Sequence, residues 1–273
     1  MRKIIIILIA LIAILAPTTA SSNFTESVKS NNVIDLTNIQ EEIINAFMSS
    51  FADQSDSKIT SIIDDLSSSY KNNNNSLFLY WKGYALYYNS IYYLKKSDRT
   101  NSKVTLTNGI KVLESIKKKN SEDYTLLSML KSLSCQFLEF PEVVQASRDA
   151  TTYIEQAVKL DENNLRAYYV LANNDYYTPK KYGGGKNVEK YALKAISLPT
   201  QKVSNPYLPS WGKQESYELL TNYYIEQKNL EKAKKYVELG LIEFPNSNIL
   251  KSNKSKTLTE RPTSMGSFAH LSL

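Results

Sequence analysis

Residues 214–247 read QESYELLTNYYIEQKNLEKAKKYVELGLIEFPNS, and large and small side chains recur in this stretch at regular intervals. Tyr217, Leu220 and Tyr224 are three and four positions apart, and Ala233 begins a second series of the same kind. Side chains with this spacing share one face of a helix, so the stretch predicts two amphipathic helices packed as a hairpin. A single hairpin cannot cover its own apolar stripe. Neighbouring hairpins of the same type are therefore expected.

The spacing resembles the tetratricopeptide repeat (TPR), a helix-turn-helix unit of about 34 residues with Trp-x2-Leu-Gly-x2-Tyr on its first helix, Ala-x3-Phe on its second and a closing Pro. Each departure from that pattern keeps a large residue large or a small residue fairly small. The corresponding positions in this chain are Tyr217, Leu220, Thr221, Tyr224, Ala233, Val237 and Pro245.

Weaker copies of the unit lie earlier in the chain. The clearest covers 165–196, where Ala172 is the small residue of the first helix and Ala192 and Ala195 mark the second. More divergent first helices are predicted around Gly83 and around Leu127. The resemblance thus implies an all-α protein, a right-handed α-solenoid of about five helix-turn-helix hairpins.

The chain begins with a pattern typical of an export signal. Arg2 and Lys3 precede an apolar run over 4–16, and small residues lead to a predicted cleavage site after Ala20. The run is shorter than the roughly 20 residues that span a bilayer, which favours cleavage over retention as an anchor. Residues 1–20 are predicted to be a signal peptide, so we expect an exported chain, periplasmic or secreted, without a stable membrane span once the signal is removed.

The rest of the chain divides by composition and periodicity. Residues 21–36 are polar and predicted to be a flexible leader, and 37–75 form an N-terminal helical hairpin or cap in which Thr37-Asn38-Ile39-Gln40 has the form of a capping box. The solenoid occupies 76–247, with a break predicted at the polar residues 97–102. Residues 248–273 are rich in Ser, Lys and Thr without an apolar period, and are predicted to be a mostly disordered tail.

Composition argues against most catalytic and nucleic-acid chemistry. The net charge of +6 falls to +4 when the two charges of Arg2 and Lys3 are removed, which is too mild to indicate a nucleic-acid partner. His270 is the only histidine and lies in the tail, so no histidine-based triad or metal centre is expected. We therefore predict no enzyme activity, no cofactor and no metal, although chemistry that uses carboxylates alone remains an alternative.

A glycine-rich insertion at 182–187 invites comparison with a phosphate-binding loop. The comparison fails because such a loop needs Gly five positions before its Gly-Lys pair and Ser or Thr after it, where this chain has Lys180 and Asn187. The glycines are better explained as turn residues with positive φ angles. Together with Thr178-Pro179 and Trp211-Gly212, the insertion is similar to sequences of exported TPR proteins of Bacteroidota, and this likeness implies an envelope location rather than an activity.

The TPR resemblance also implies a binding surface, because first helices line the concave face of such solenoids. We expect this face to engage a peptide segment or a partner protein of the envelope, since Tyr offers flat apolar area with a hydroxyl group. A small-solute or glycan binder serving a transport system is the alternative, and tyrosines used simply as helix packing are another. The predicted site residues are Tyr80, Tyr84, Tyr87, Arg166, Tyr169, Asn173, Tyr176, Glu215, Glu218 and Asn222.

Overall fold

A computed structural model describes residues 33–200 and 205–259, which contain eleven α-helices and no β-strand. The predicted signal peptide lies outside these residues, as do most of the leader and the last part of the tail. The helices are α1 Ile39–Asp53, α2 Ser57–Asn73, α3 Ser76–Lys95, α4 Arg99–Glu114, α5 Ser121–Ser134, α6 Glu142–Leu160, α7 Leu165–Tyr177, α8 Val188–Ser197, α9 Lys213–Glu226, α10 Leu230–Glu243 and α11 Asn248–Thr259.

The first ten helices pair in chain order as five hairpins, from α1–α2 to α9–α10. Each second helix also packs on the first helix of the following hairpin, and successive first helices lie side by side as α1, α3, α5, α7 and α9. This arrangement is an α-solenoid, and it confirms the predicted fold class. The first helices form one wall of the stack and define where a concave site would lie.

The residues that carry the repeat pattern are buried where hairpins meet. Ala172 of α7, Ala192 of α8 and Ala233 of α10 share one cluster with Leu220 and Tyr224 of α9. All three alanines are fully buried. Small side chains at these positions let neighbouring helices approach closely, so the alternation of size seen in the sequence sets the spacing of the stack.

Gly83 of α3 shows how close that approach is. A Cβ atom added there would lie 2.8 Å from the Cγ atom of Leu113 on α4, and one added at Gly109 would lie 2.8 Å from Leu130 on α5. A methyl group at Gly83 would force the Leu113 side chain to shift, so a small residue at this position of the divergent repeat allows the close contact of α3 with α4.

One predicted break is present but shorter than expected, since α3 ends at Lys95. The polar residues 97–102 predict an interruption between helices, but α4 already begins at Arg99. The Asp98 carboxylate accepts a hydrogen bond from the Asn101 backbone N–H at 3.0 Å, so residues that suggest a loop form the N-cap of a helix instead.

The expected tail is also wrong over 248–259, which form α11. Leu250 is fully buried, and a Cβ added at Gly240 of α10 would lie 2.8 Å from its Cδ1 atom. The Ser247 hydroxyl accepts from the Leu250 N–H at 3.1 Å and starts the helix. Packing on α9 and α10 therefore orders a segment whose own sequence has little apolar pattern.

The last residues of the predicted leader are held against the first hairpin. Leu36 is buried, and the Ile34 N–H donates to the Ser69 hydroxyl of α2 at 2.9 Å. The expectation of a flexible leader is therefore wrong for residues 33–36.

The inserted turn between α7 and α8 behaves as its glycines suggest. Gly183 and Gly185 have φ angles of 94° and 83°. The Asp175 carboxylate accepts from the Asn187 N–H at 2.7 Å and fastens the end of the insertion to α7.

Candidate functional site

Residues Asn205–Gly212, which we call the inner strap, run along the first helices before α9 begins. The side-chain Oε1 of Gln40 on α1 accepts the N–H groups of Ser210 at 2.8 Å and Trp211 at 3.2 Å. The indole N–H of Trp81 on α3 donates to the carbonyl oxygen of Tyr207 at 3.0 Å. These bonds attach the strap to the N-terminal hairpins, although it lies about 170 positions further along the sequence.

Trp211 packs between the first helices α3 and α7. Its ring is stacked on that of Tyr84 at a centroid distance of 6.0 Å and meets the edge of Tyr169 at 6.1 Å. Its indole N–H donates to the hydroxyl of Tyr80 at 2.9 Å. Because Trp211 is only 5% exposed, it acts as a core residue between α3 and α7.

Arg166 of α7 is fully buried beside Trp211. Its guanidinium group donates to both carboxylate oxygens of Glu122 on α5, at 2.5 and 2.7 Å, and to the Trp211 carbonyl at 3.4 Å. A bidentate pair of this kind satisfies the buried charge and joins two hairpins.

Four predicted site residues are not on an accessible surface: Glu218, which is 8% exposed, and three residues beside the inner strap. Tyr80, Tyr84 and Arg166 are each no more than 1% exposed. The expectation that they face an open groove is wrong, because the inner strap covers them. For these residues the alternative that tyrosines serve helix packing is the one the structure favours.

A second part of the concave face stays partly open beyond Trp211. Tyr87, Tyr169, Asn173, Tyr176 and Glu215 are partly exposed there, on α3, α7 and α9. We call the portion formed by Tyr87, Tyr88, Tyr169, Glu215 and Glu218 the tyrosine–glutamate face. Tyr88 lies next to Tyr84 on α3, with a distance of 4.9 Å between their ring centroids. It therefore connects Tyr84, beneath the strap, with Tyr87.

Glu215 stands where the strap meets α9. Its Oε2 accepts the Gly212 N–H at 2.7 Å, which closes the first turn of the helix. Burial raises the pKa of the Glu215 carboxyl above its usual value, and the charge of Arg166 partly opposes this rise. Burial also raises the pKa of Tyr169 well above its usual value, and the charges of Tyr87 and Glu215 add to the effect, as expected for side chains that converge on one place.

Glu218 lies one helical turn after Glu215 and is largely buried. Its Oε1 accepts the Ser247 hydroxyl at 2.7 Å and the Gln214 amide at 2.8 Å. Burial, followed by the charge of Glu215, raises the pKa of Glu218 to about 7. The carboxyl thus lies beneath this face and also contacts the start of α11.

The remaining predicted residues lie near the far end of the face. The Tyr176 hydroxyl donates to Glu226 of α9. The Oδ1 atom of Asn222 accepts from the side chain of Asn253 at 2.8 Å, so α11 occupies that position. Asn173 lies between these contacts and Tyr169 on α7 and is partly exposed.

The described ranges, 33–200 and 205–259, differ from a metal centre or an activated thiol site in two respects. No cluster of three or more His, Cys, Asp or Glu side chains there has the geometry to hold a metal ion. Burial raises the pKa of the Cys135 thiol, which makes it a weaker nucleophile. Across the same ranges, no helix has both the length and the apolar character needed to cross a bilayer.

Sequence reasoning missed the residues that hold the strap. Gln40 has the position of a capping-box residue, yet its side chain binds the backbone at Ser210 and Trp211, and Asn38 is the N-cap residue of α1. Trp211 carried one usable signal, since it is a large aromatic residue that closely follows Pro206 and Pro209. The partner of Arg166 carried none, because Glu122 is one of many charged residues in the chain.

Comparison with known proteins supports the fold. No family model matches the sequence, and no curated protein is similar to it. Among solved structures, the chain is similar to a thermophilic TPR protein of Thermus thermophilus, with a TM-score of 0.53 and 14% sequence identity over 81% of this chain and 98% of that one. The molecule therefore has the fold of a TPR solenoid.

Proposed function

We propose that the protein is a non-catalytic binding scaffold of the cell envelope that holds an extended peptide segment of a partner protein on the open part of its concave face. The proposal concerns the surface of α3, α7 and α9 beyond the inner strap.

The partly exposed tyrosines next to polar side chains carry this proposal. Tyr87, Tyr169 and Tyr176 present ring area, while Asn173 and Glu215 supply an amide and a carboxylate along the same first helices. A peptide in extended conformation needs such alternation of apolar contact and hydrogen-bonding groups. The likeness to a TPR protein agrees with this assignment at the level of fold.

A closed pocket among Tyr84, Arg166 and Tyr169 would have favoured a small-solute or glycan binder. Trp211 packs against the rings of Tyr84 and Tyr169, and its carbonyl accepts from Arg166. No observation on the described residues therefore favours that alternative.

Export rests on the first 20 residues alone. Their positive start, apolar run and small-residue end support delivery to the periplasm or beyond. Fractionation of cells that produce the full chain, with N-terminal sequencing of the product, tests this step. A product that stays in the cytoplasm and begins at Met1 would contradict it.

The binding surface is tested by selecting short phage-displayed peptides on the purified protein. Asn173→Trp should abolish binding of the selected peptides, because the added ring fills the open face. Lys234→Trp is the matched control, since Lys234 is exposed on the second helix α10. Failure to select any peptide, or equal binding by both variants, would contradict the proposal.

A further inference from the structure

The inserted turn between α7 and α8, residues 178–187, presents side chains that the fold does not bury. Three other hairpins join their two helices with three residues each, 54–56, 96–98 and 227–229. In the inserted turn Tyr182 is 73% exposed, and the lysines at 180, 181 and 186 are exposed as well. Insertions that interrupt a regular repeat often carry binding, so the exposed side chains of this turn are candidates for a contact.

The backbone of the inserted turn is fixed by its own contacts. The Gly185 N–H donates to the Asp175 carbonyl oxygen at 2.9 Å, which ties the turn to the end of α7. Gly184 packs so closely on Thr178 that an added Cβ atom would lie 1.9 Å from the carbonyl oxygen of that residue. A turn that is already held in one conformation loses little further entropy when its side chains bind a partner.

The inserted turn carries positive charge and contains no acidic residue. None of its three lysines belongs to an ion pair within the described ranges, 33–200 and 205–259. The Nζ atom of Lys181 lies 4.7 Å from the centre of the Tyr182 ring. The carboxylate of Asp175, at the base of the turn, accepts the Asn187 N–H. An aromatic ring and several lysines are therefore exposed together.

The preceding hairpin has a long turn at the same edge of the stack. α5 and α7 run in the same direction, since Asn164 donates to Ser121 at 2.8 Å near their first residues and Asn174 donates to Ser128 at 3.3 Å further along. The turns that follow these two helices therefore leave the stack at one edge. Phe140, in the turn 135–141, is 82% exposed. Two exposed aromatic rings thus project from this edge.

Positive charge alone does not distinguish the inserted turn. Lys117 and Lys118 are exposed in the turn before α5, at the opposite edge, but the apolar residue of that turn, Ile116, is buried. Phe140 has acidic neighbours at Glu139 and Glu142. The inserted turn differs from both because it combines lysines with an exposed ring.

This combination suits the surface of an anionic bilayer. Lipid phosphates attract lysine side chains, and tyrosine rings are favoured at the boundary between headgroups and acyl chains. A projecting turn has no concavity that could enclose a peptide or a solute. A fluid lipid surface accommodates a projecting side chain without a preformed pocket, so the shape of the turn favours lipid over a soluble ligand.

We propose that the inserted turn docks the protein on an anionic membrane surface. Tyr182 enters the headgroup region, Lys180 and Lys181 lie at the lipid phosphates, and Phe140 makes a second contact from the same edge. The net charge of +6 adds a long-range attraction to such a surface. This surface is separate from the concave face, so the inference goes beyond the proposed function and does not depend on it.

The test is flotation of the protein with vesicles of phosphatidylglycerol and phosphatidylcholine in equal amounts, and with vesicles of phosphatidylcholine alone. The chain beginning at Ser21 is used, because the apolar run 4–16 would itself enter lipid and the contacts described above begin at residue 33 or later. The protein should float with the anionic vesicles only, and about 0.5 M salt should release it. Failure to float with the anionic vesicles would overturn the proposal.

Two lysine variants separate the docking site from general charge attraction. Lys180→Gln/Lys181→Gln should weaken binding to anionic vesicles at least about tenfold, because each lysine near the surface adds to the attraction. Lys117→Gln/Lys118→Gln is the matched control, since it removes the same charge from exposed positions at the opposite edge and should change binding less than about twofold. Equal losses in the two variants would overturn the assigned site.

Two further variants test the aromatic contacts. Trp81 and Trp211 are the only native tryptophans and both are buried, so Tyr182→Trp adds an exposed fluorophore whose emission should shift to shorter wavelength with anionic vesicles. Ile242→Trp is the control, because position 242 is 80% exposed on α10 and its emission should not shift. Phe140→Ser should weaken binding about threefold. An unshifted emission of Tyr182→Trp would contradict insertion, and unchanged binding of Phe140→Ser would remove the turn 135–141 from the site.

A soluble acidic partner is the other outcome of these measurements. If a capped hexaglutamate peptide binds and Lys180→Gln/Lys181→Gln abolishes that binding, while anionic vesicles do not bind, the membrane assignment is wrong. The scaffold function is tested separately through Asn173→Trp on the concave face. Either proposal can therefore fail while the other stands.

Discussion

Glu218 shows at the scale of one residue how the site affects stability. A carboxyl that ionises with a pKa of about 7 in the folded protein and 4.5 in the unfolded chain binds more protons when folded. Its contribution to the free energy of unfolding is then largest below pH 4.5 and falls as pH rises toward 7. A difference of this size corresponds to at most about 3 kcal/mol.

We therefore expect Glu218→Gln to be more stable than the wild type at pH 8 and nearly equal to it at pH 4.5. Urea unfolding at several pH values measures this difference. Asp123, whose pKa burial raises to about 6, adds a slope of the same sign to both proteins and cancels in the comparison. A difference that does not change with pH would contradict the assigned pKa.

Tyr84 provides a second prediction at residue scale. Because its side chain is buried against Trp211, Tyr84→Ala should lower the free energy of unfolding by about 3–5 kcal/mol. Tyr182→Ala is the matched control, since that tyrosine is 73% exposed and should cost less than about 0.5 kcal/mol. Denaturant titration of both variants gives the comparison, and equal losses would argue against a core role for Tyr84.

At the scale of elements, α11 depends on its contacts with α9 and α10. Leu250→Asp places a charge at a fully buried position and should destabilise the protein by about 2–5 kcal/mol. Leu258→Asp makes the same change in the same helix at a position that is 59% exposed, and should have little effect. Thermal melting followed by circular dichroism distinguishes them. Equal melting temperatures would show that α11 does not pack as described.

The elements also show what the sequence could predict. The hairpins could be predicted from Ala172, Ala233 and Leu220, because the regular spacing of large and small side chains determines the packing of helices that are close in sequence. The helix at 248–259 could not be predicted from the sequence, because its single buried leucine, Leu250, does not produce a periodic apolar pattern. The contacts of Trp211 with Tyr80 and Gln40 join residues 131 and 171 positions apart, and no local signal reports them.

At the scale of the whole molecule, the strap links the two ends of the stack. Gln40→Ala removes the acceptor of two backbone N–H groups, so the amides of Ser210 and Trp211 should exchange with solvent roughly three- to tenfold faster. Hydrogen exchange with mass spectrometry measures this. Gln145→Ala, which breaks an exposed side-chain bond to Asp149, is the control and should leave those amides unchanged. Unchanged exchange in Gln40→Ala would show that other contacts hold the strap.

The attachment of the strap to the first hairpins fixes how many hairpins can lie between α1 and α9. Open arrays tolerate duplication or loss of a unit because each unit contacts only its neighbours. Here an additional hairpin inserted between α4 and α9 would carry Trp211 away from Tyr80 and leave Gln40 without its partners. The strap therefore fixes the number of hairpins between α1 and α9, and additional hairpins are compatible with it only before α1 or after α10.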